Sequence, residues 1–480
     1  MVESGAHPRG ADTRIAPSLW IISTGASLVA LPLLFFTDIA TVGLGLLGLI
    51  LIAVSADERV RLFVLVALIP FAHAGLGWSE LGGFGLYDIF LGWFLLLYLW
   101  KAGPLMLFQV ELPRPLWLAC IMVLSFVPSI AGSGFSTESA KAFLQLCASI
   151  LTAAGVYDIL RRRDDSTLVR KLLIFFVGVA AVTSLYGLLQ TVISGSIVSV
   201  AIGRAYFSLF QDVNYYSGYL LMALAVAIGM MFSTRHIITR LLFLGCIAVL
   251  TVGIIATVSR SALAVFVLLM ATYMVYSVRQ QGMQKWVGAA MIVGVAGLLG
   301  VIIFTDLGKK VIDLFTLSSR VETVLAGRDA SLEQRANILA VTTQMIESNP
   351  IIGVGFGSFE ETFERYKDTY LSTGFKRSAH NTYLRVAAET GVIGFSAYFL
   401  FLWSLMITVW RKARSVLGTP EGTVRLAVVF SLGTFLLMSA TLDQMFEPHF
   451  WVIAGAALAS GSVLGKRATH QGSQSDVSHQ

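Results

Sequence analysis

The sequence predicts an all-α polytopic membrane protein, and three observations predict it. Of 480 residues, 56% are hydrophobic and only 13% charged, with a mean hydropathy of +0.78. A soluble domain carries roughly 25% charged residues. The charges are clustered, and the apolar stretches between clusters run about 17–25 residues, enough to cross ~30 Å of hydrocarbon at 1.5 Å per residue. These stretches do not alternate in polarity with period two, as barrel strands would. A helix is the other structure that satisfies every backbone amide in lipid.

About fourteen spans follow in order: 18–36, 39–55, 60–76, 86–103, 114–131, 139–160, 171–193, 214–232, 237–258, 261–278, 286–304, 382–410, 424–441 and 449–464. No small-residue cleavage site follows the first, and a second begins almost at once, so it is read as a membrane helix rather than a signal peptide. Arg161, Arg162, Arg163, Arg170 and Lys171 lie between the sixth and seventh spans, and Arg411, Lys412, Arg414 and Arg425 between the twelfth and thirteenth. Arg59 and Arg61, Lys101 and Arg114, Arg235 and Arg240, and Arg279 and Lys285 mark the other even-numbered connections. Arg9, Arg14, Lys466 and Arg467 make both tails basic. Cytoplasmic loops carry the positive excess. Both termini are therefore expected in the cytoplasm, which agrees with an even number of spans.

The net charge of +6 is explained by these basic loops, which also suit anionic lipid heads. No feature argues for nucleic-acid binding. Cys120, Cys147 and Cys246 fall inside apolar spans without metal-ligand spacing and pack as small hydrophobes. The expected division is a cytoplasmic tail over 1–17, transmembrane helices over 18–200, and helices with arginine-bearing outer ends over 201–304. A lid loop over 305–381, C-terminal helices over 382–465 and a cytoplasmic tail over 466–480 complete it.

Residues 305–381 are the one long polar excursion, and this topology places them on the outer side of the membrane, facing the periplasm or the cell exterior. SLEQRANILAVTTQMIE has helical spacing, with Leu332, Ile338, Leu339, Val341, Met345 and Ile346 near one face. Ser331 and Gln334 resemble a capping box, and Asn349-Pro350 ends the helix. The glycine-punctuated IIGVGFGSF follows, then a second helix from Ser358 to Tyr370. Such a segment either lies on the membrane as an amphipathic element or covers a site opening outward.

Three cationic positions share that outer face against the positive-inside bias: Arg204 before the eighth span, Arg260 in the turn between the ninth and tenth, and His380 at the start of the twelfth. A terminal arginine can simply snorkel to water. Their conjunction suits a different role. Arginine offers a fixed fork of donors to phosphate oxygens, and histidine is the commonest general base near neutral pH. Two arginines and a base describe group transfer from a lipid diphosphate to a hydroxyl, with no nucleotide fingerprint, acidic metal motif or cofactor in sight. Gly353, Gly355 and Gly357 can admit a phosphate to the backbone but are better read as making the turn after Pro350. Asp212 and Asn214 contact sugar or cap the eighth span, and the cap is the simpler reading.

At these residues the sequence resembles the O-antigen ligase and O-antigen polymerase superfamily, from about Arg204 to Phe395. RAYFSLFQDVNYYSGYL is similar to the family's arginine–asparagine segment and TVSRSALAVF to its Ser-Arg-Ser helix start. EQRANILAVTTQMIESNPIIGVGFGSF with HNTYLRVAAETGVIG resembles its lid and following helix. The resemblance implies a GT-C-type glycosyltransferase, inverting and metal-independent, in a bacterial inner membrane. It would move a glycan from undecaprenyl diphosphate to lipid A core or to a lipid-linked glycan, beside a flippase and a chain-length regulator. Arg204 and Arg260 would bind and stabilise the diphosphate, His380 would activate the acceptor hydroxyl or orient it, and Arg335, Asn214 and Asn381 would contact substrate. Glu389 is expected to pair with Arg385 one turn back. The alternatives are a protein O-oligosaccharyltransferase and a polysaccharide transporter or flippase. The sequence shows neither the inverted repeats nor the broken helices that would favour transport, and the first six spans carry no assignable motif.

Overall fold

The structure is a computed structural model that describes residues 57–72, 86–102, 111–162, 166–193, 210, 212–257, 259–278, 330–366 and 378–460. The expected spans 18–36, 39–55 and 286–304, both tails and Arg204 lie outside the described residues. Those that are described form helices and connections, with no strand among them.

Thirteen α-helices follow in order among the described residues: α1 Glu58–Leu68, α2 Leu86–Ala102, α3 Arg114–Gly132, α4 Thr137–Arg162, α5 Ser166–Ile193, α6 Val213–Ser233, α7 Ile237–Ala256, α8 Arg260–Val278, α9 Ala330–Ser348, α10 Phe359–Tyr366, α11 Thr382–Arg414, α12 Pro420–Ser439 and α13 Pro448–Ala459. Eight of them, α3 to α8 with α11 and α12, are long and apolar enough to cross a membrane. The chain is thus a multi-pass membrane protein. Two expected spans come out short. The third is an 11-residue helix that passes at Ile69–Phe71 into a 3-10 turn, where Pro70 supplies no N–H to an α-helical bond. The last is the 12-residue α13, against the ~20 residues a crossing needs.

Helix α6 is buried from Tyr216 to its end at Ser233, packed by α12, α7, α5 and α8. A helix apolar all round belongs in the middle of a bundle. Gly229 lets it touch α12, since a Cβ there would lie 2.1 Å from Ala427 Cβ. Small residues at such crossings are how membrane helices gain close packing without a hydrophobic driving force. By contrast α7 presents Ile237, Leu241, Leu242 and Val252 outward, the surface lipid requires.

The twelfth expected span departs most from expectation. Helix α11 runs 33 residues but is broken at Gly391 (φ 60°, ψ −165°). The freed backbone groups are met by the glycine turn. Val354 N donates to Ala388 O (2.9 Å), Gly355 N to Glu389 O (3.0 Å), Val392 N to Pro350 O (2.8 Å) and Ile393 N to Ile351 O (3.3 Å). The turn therefore does not lie flat on the membrane. It inserts between α11 and the α3–α4 hairpin, where Phe356 packs 4.7 Å from Phe126 and Ser129 donates to the carbonyl of Glu389. This is a role for the N-terminal helices that sequence left unassigned. Straight, α11 would cover about 43 Å between its ties to α12 through Tyr383 and Lys412, where α12 covers about 16 Å. The break turns the short segment of α11 ahead of Gly391 out of line with the rest of the helix.

Two glycines make the insertion possible. Gly353 (φ 72°) and Gly391 both adopt left-handed geometry, and a Cβ on either would lie 2.3–2.4 Å from backbone of the opposing segment. Gly391→Ala is expected to destabilise the protein by about 3 kcal/mol or more, from backbone strain and overpacking together. Gly433, with open space around it, provides the control. Thermal unfolding in detergent should show Gly391→Ala melting well below wild type and Gly433→Ala unchanged.

Candidate functional site

At one end of the bundle, α6, α8, α11 and α13 begin and α7 and α12 finish. Asp212 caps α6, its carboxylate accepting from Asn214 N at 2.7 Å, as the spacing suggested. The Asn214 side chain does more than the sequence indicated. Its Oδ1 accepts from the Ser259 hydroxyl at 2.7 Å, and Ser259 Oγ in turn meets Ala262 N at 3.4 Å in the first turn of α8. Asn214 thereby fixes the start of α8, where Arg260 is the first helical residue and is exposed.

His380 sits just ahead of α11, half-buried, with φ at 49°. Few non-glycine residues adopt that conformation, and they are worth a functional question when they do. Asn381 caps α11, its Oδ1 accepting from Leu384 N at 3.1 Å. That leaves its amide nitrogen for any ligand. Thr382 then ties the helix start to the α12–α13 connection: its N and Oγ1 both donate to Leu442 O (3.0 and 2.6 Å), and Gln444 N donates back to Oγ1 at 3.0 Å. Tyr215 OH donates to Asp443 O at 2.7 Å. A bonded path therefore runs from Arg260's helix start through Ser259, Asn214, Tyr215 and Asp443 to Ser378, whose hydroxyl donates to the Asp443 carboxylate.

Burial is the largest influence on the His380 imidazole and pushes its pKa below the ordinary value near 6.5. Asp443 opposes this, Arg335 on α9 adds to it, and Asp212 opposes it. The imidazole is thus neutral at pH 7 and able to accept a proton. Arg335 itself is exposed. Its helix packs Ile338, Val341 and Met345 against Phe359 and Phe363 of α10 and Ala388 of α11. Leu339, expected on that face, is 49% exposed, because it stands about 100° around the helix from Ile338. The side chains of Leu332 and of the Ser331–Gln334 cap lie outside the described set.

Glu389 pairs with Arg385 as expected, Nε to Oε1 at 3.1 Å, and the same oxygen accepts from Phe359 N at 3.1 Å. Gly353, Gly355 and Gly357 all have positive φ and make the turn. Asp443 is the residue the sequence reading missed. Its signal was available: TLDQMFEPHF places acids in a short connection on the arginine-bearing face. An orientation argument that weighs Lys and Arg passes over acids.

Residues 244–399 match the family model described as O-antigen ligase. The match covers the end of α7, all of α8, α9 and α10, the inserted turn and α11 to just past its break. It takes in Arg260, Arg335, His380 and Asn381, whereas Arg204, Asn214 and Asp443 fall outside it. No curated protein matches the chain.

Proposed function

We propose that this chain, whose residues 244–399 match the O-antigen ligase model, belongs to the O-antigen ligase/polymerase superfamily and is a metal-independent, inverting glycosyltransferase of GT-C type. It transfers an oligo- or polysaccharide from undecaprenyl diphosphate to an acceptor hydroxyl on the periplasmic face of the bacterial inner membrane. One observation carries the reading: a half-buried, neutral imidazole at His380, held in a strained backbone within the matched stretch, on the same bundle end as Arg260.

The chemistry balances with these groups. The acceptor oxygen attacks the anomeric carbon from the face opposite the diphosphate. Its proton passes to His380, and the breaking C–O bond leaves its electron pair on the diphosphate. Arg260 and Arg204 hold and stabilise that leaving group as charge develops on it. Arg335 stands near the imidazole, where it would meet a polyanionic donor. Asn214 positions α8 and with it Arg260, and Asn381 orients the helix start beside His380. The basic ends of α4 and α11, with Arg161, Arg162, Arg411, Lys412 and Arg414, lie opposite this site and support a cytoplasmic assignment for that side and for both termini. Residues 305–381 then form the periplasmic lid between transmembrane regions 201–304 and 382–465.

One observation bears on the transporter alternative. Broken helices in transporters leave backbone groups free to hold an ion or substrate. At Gly391 the four groups of the break that bond the turn are occupied by it, which favours a structural joint over a transport site.

The acceptor is lipid A core for a ligase or the next lipid-linked repeat for a polymerase. Surface glycans of a deletion strain test this. Single repeats left on lipid A core support a polymerase. Bare core with long lipid-linked chains supports a ligase, and an unchanged glycan profile refutes both.

A further inference from the structure

Arg385 stands between two buried carboxylates. Its Nε is bonded to Glu389 Oε1 at 3.1 Å, and its Nη1 lies 3.8 Å from Asp443 Oδ2. The two carboxylate side chains are 2% and 5% exposed. Each acid has a second task. Glu389 fastens the inserted turn, its carboxylate accepting from Phe359 N at the start of α10 and its carbonyl from Gly355 N. Asp443 belongs to the His380 end: Oδ2 accepts from Ser378, whose hydroxyl oxygen lies 3.4 Å from His380 N. Asp443 Oδ1 is buried and has no hydrogen-bond partner among the described residues. One guanidinium is thus divided unequally between a carboxylate that holds the turn and a carboxylate that is tied through Ser378 to the His380 backbone and whose charge acts on the imidazole.

We propose that Arg385 is a positioning residue that couples the seating of the inserted turn to His380: by dividing its charge between Glu389 and Asp443, it sets how much of Asp443's negative charge the imidazole feels. With the turn seated, Glu389 divides its charge between Phe359 N and Arg385, and Arg385 retains part of its own for Asp443. If the turn withdraws and carries the Phe359 N–H away, the Glu389 carboxylate loses a donor, draws Arg385 closer and leaves Asp443 less masked. The other charged groups acting on the imidazole are Asp212 at the start of α6 and Arg335 on α9, and neither belongs to this relay. The proposal rests on the reading of His380 as the proton acceptor.

The test is a titration of the His380 ring in the full-length protein in lipid nanodiscs. Histidine is isotope-labelled and the signal is assigned by its loss in His380→Gln. Arg385→Gln unmasks Asp443 and should raise the midpoint by about one pH unit. Glu389→Gln releases Arg385 toward Asp443 and should lower it. Arg385→Lys keeps the charge and should stay near wild type. If Arg385→Gln does not fold with Glu389 unpaired, the double variant Arg385→Gln/Glu389→Gln removes that unpaired charge, leaves Asp443 its Ser378 donor, and should show the same rise. Midpoints equal to wild type, or moving in the same direction in both single variants, overturn the proposal. The acidic limb of the transfer rate is measured alongside. If the midpoint moves as stated and the limb does not follow, the coupling stands and the assignment of His380 as base falls.

Discussion

His380→Ala should lose on the order of 10²–10⁴-fold in turnover, the usual contribution of a positioned general base. Donor affinity should barely change, because the arginines carry the diphosphate. The wild-type rate should hold through pH 7 and fall only below about 6.5, since burial moves the imidazole pKa down and protonation is what silences the base. The same residue also precedes the α11 cap, so loss of activity in the alanine variant alone does not separate chemistry from architecture. His380→Gln separates them. Its side chain can still hydrogen-bond but cannot take a proton. A near-active glutamine variant with the wild-type pH profile would remove the base assignment and leave His380 an orienting role. The backbone offers a second check. At φ 49°, His380→Asn is better tolerated sterically than most substitutions. An inactive but folded asparagine variant would place the loss in the imidazole.

Arg260→Lys is the second large effect, a loss of about ten- to hundredfold with normal expression. Lysine keeps the charge and loses the bidentate fork. A hydrogen bond to a charged group contributes ~1.5–3 kcal/mol, and each 1.4 kcal/mol is tenfold in rate. Arg260 is the exposed first residue of α8, and its helix start is pinned by Ser259 and Asn214. Its replacement should therefore leave the fold intact, which a melting curve checks. The same loss is expected for Arg204→Lys. Full activity in Arg260→Lys would mean that the arginine merely reaches for water at the membrane surface.

Sequence reading served the long helices well. Expected spans 214–232 and 237–258 correspond to Val213–Ser233 and Ile237–Ala256, because an unbroken apolar run of membrane length has few other solutions. The caps at Asp212 and the Arg385–Glu389 pair were equally legible, since both are local in sequence. The break at Gly391 was not. A glycine within an apolar run is ordinary in a membrane helix, and the groups that satisfy the break come from a different segment, the turn after Pro350. The link from Asn214 to Ser259 and the placement of Asp443 beside His380 also depend on which helix ends meet in space. Periodicity does not report that. It likewise left open whether this segment lies on the membrane or covers a site, because the apolar residues of the turn look the same whether they face lipid or insert against Phe126.

The most direct measurement is transfer by the purified protein in liposomes, given an undecaprenyl-diphosphate-linked glycan and a hydroxyl acceptor, with a metal chelator present and no ion gradient. The account predicts a new glycosidic bond on the acceptor and one free undecaprenyl diphosphate released per glycan transferred, both lost in His380→Gln. Movement of intact lipid-linked glycan across the bilayer without any new bond would contradict it.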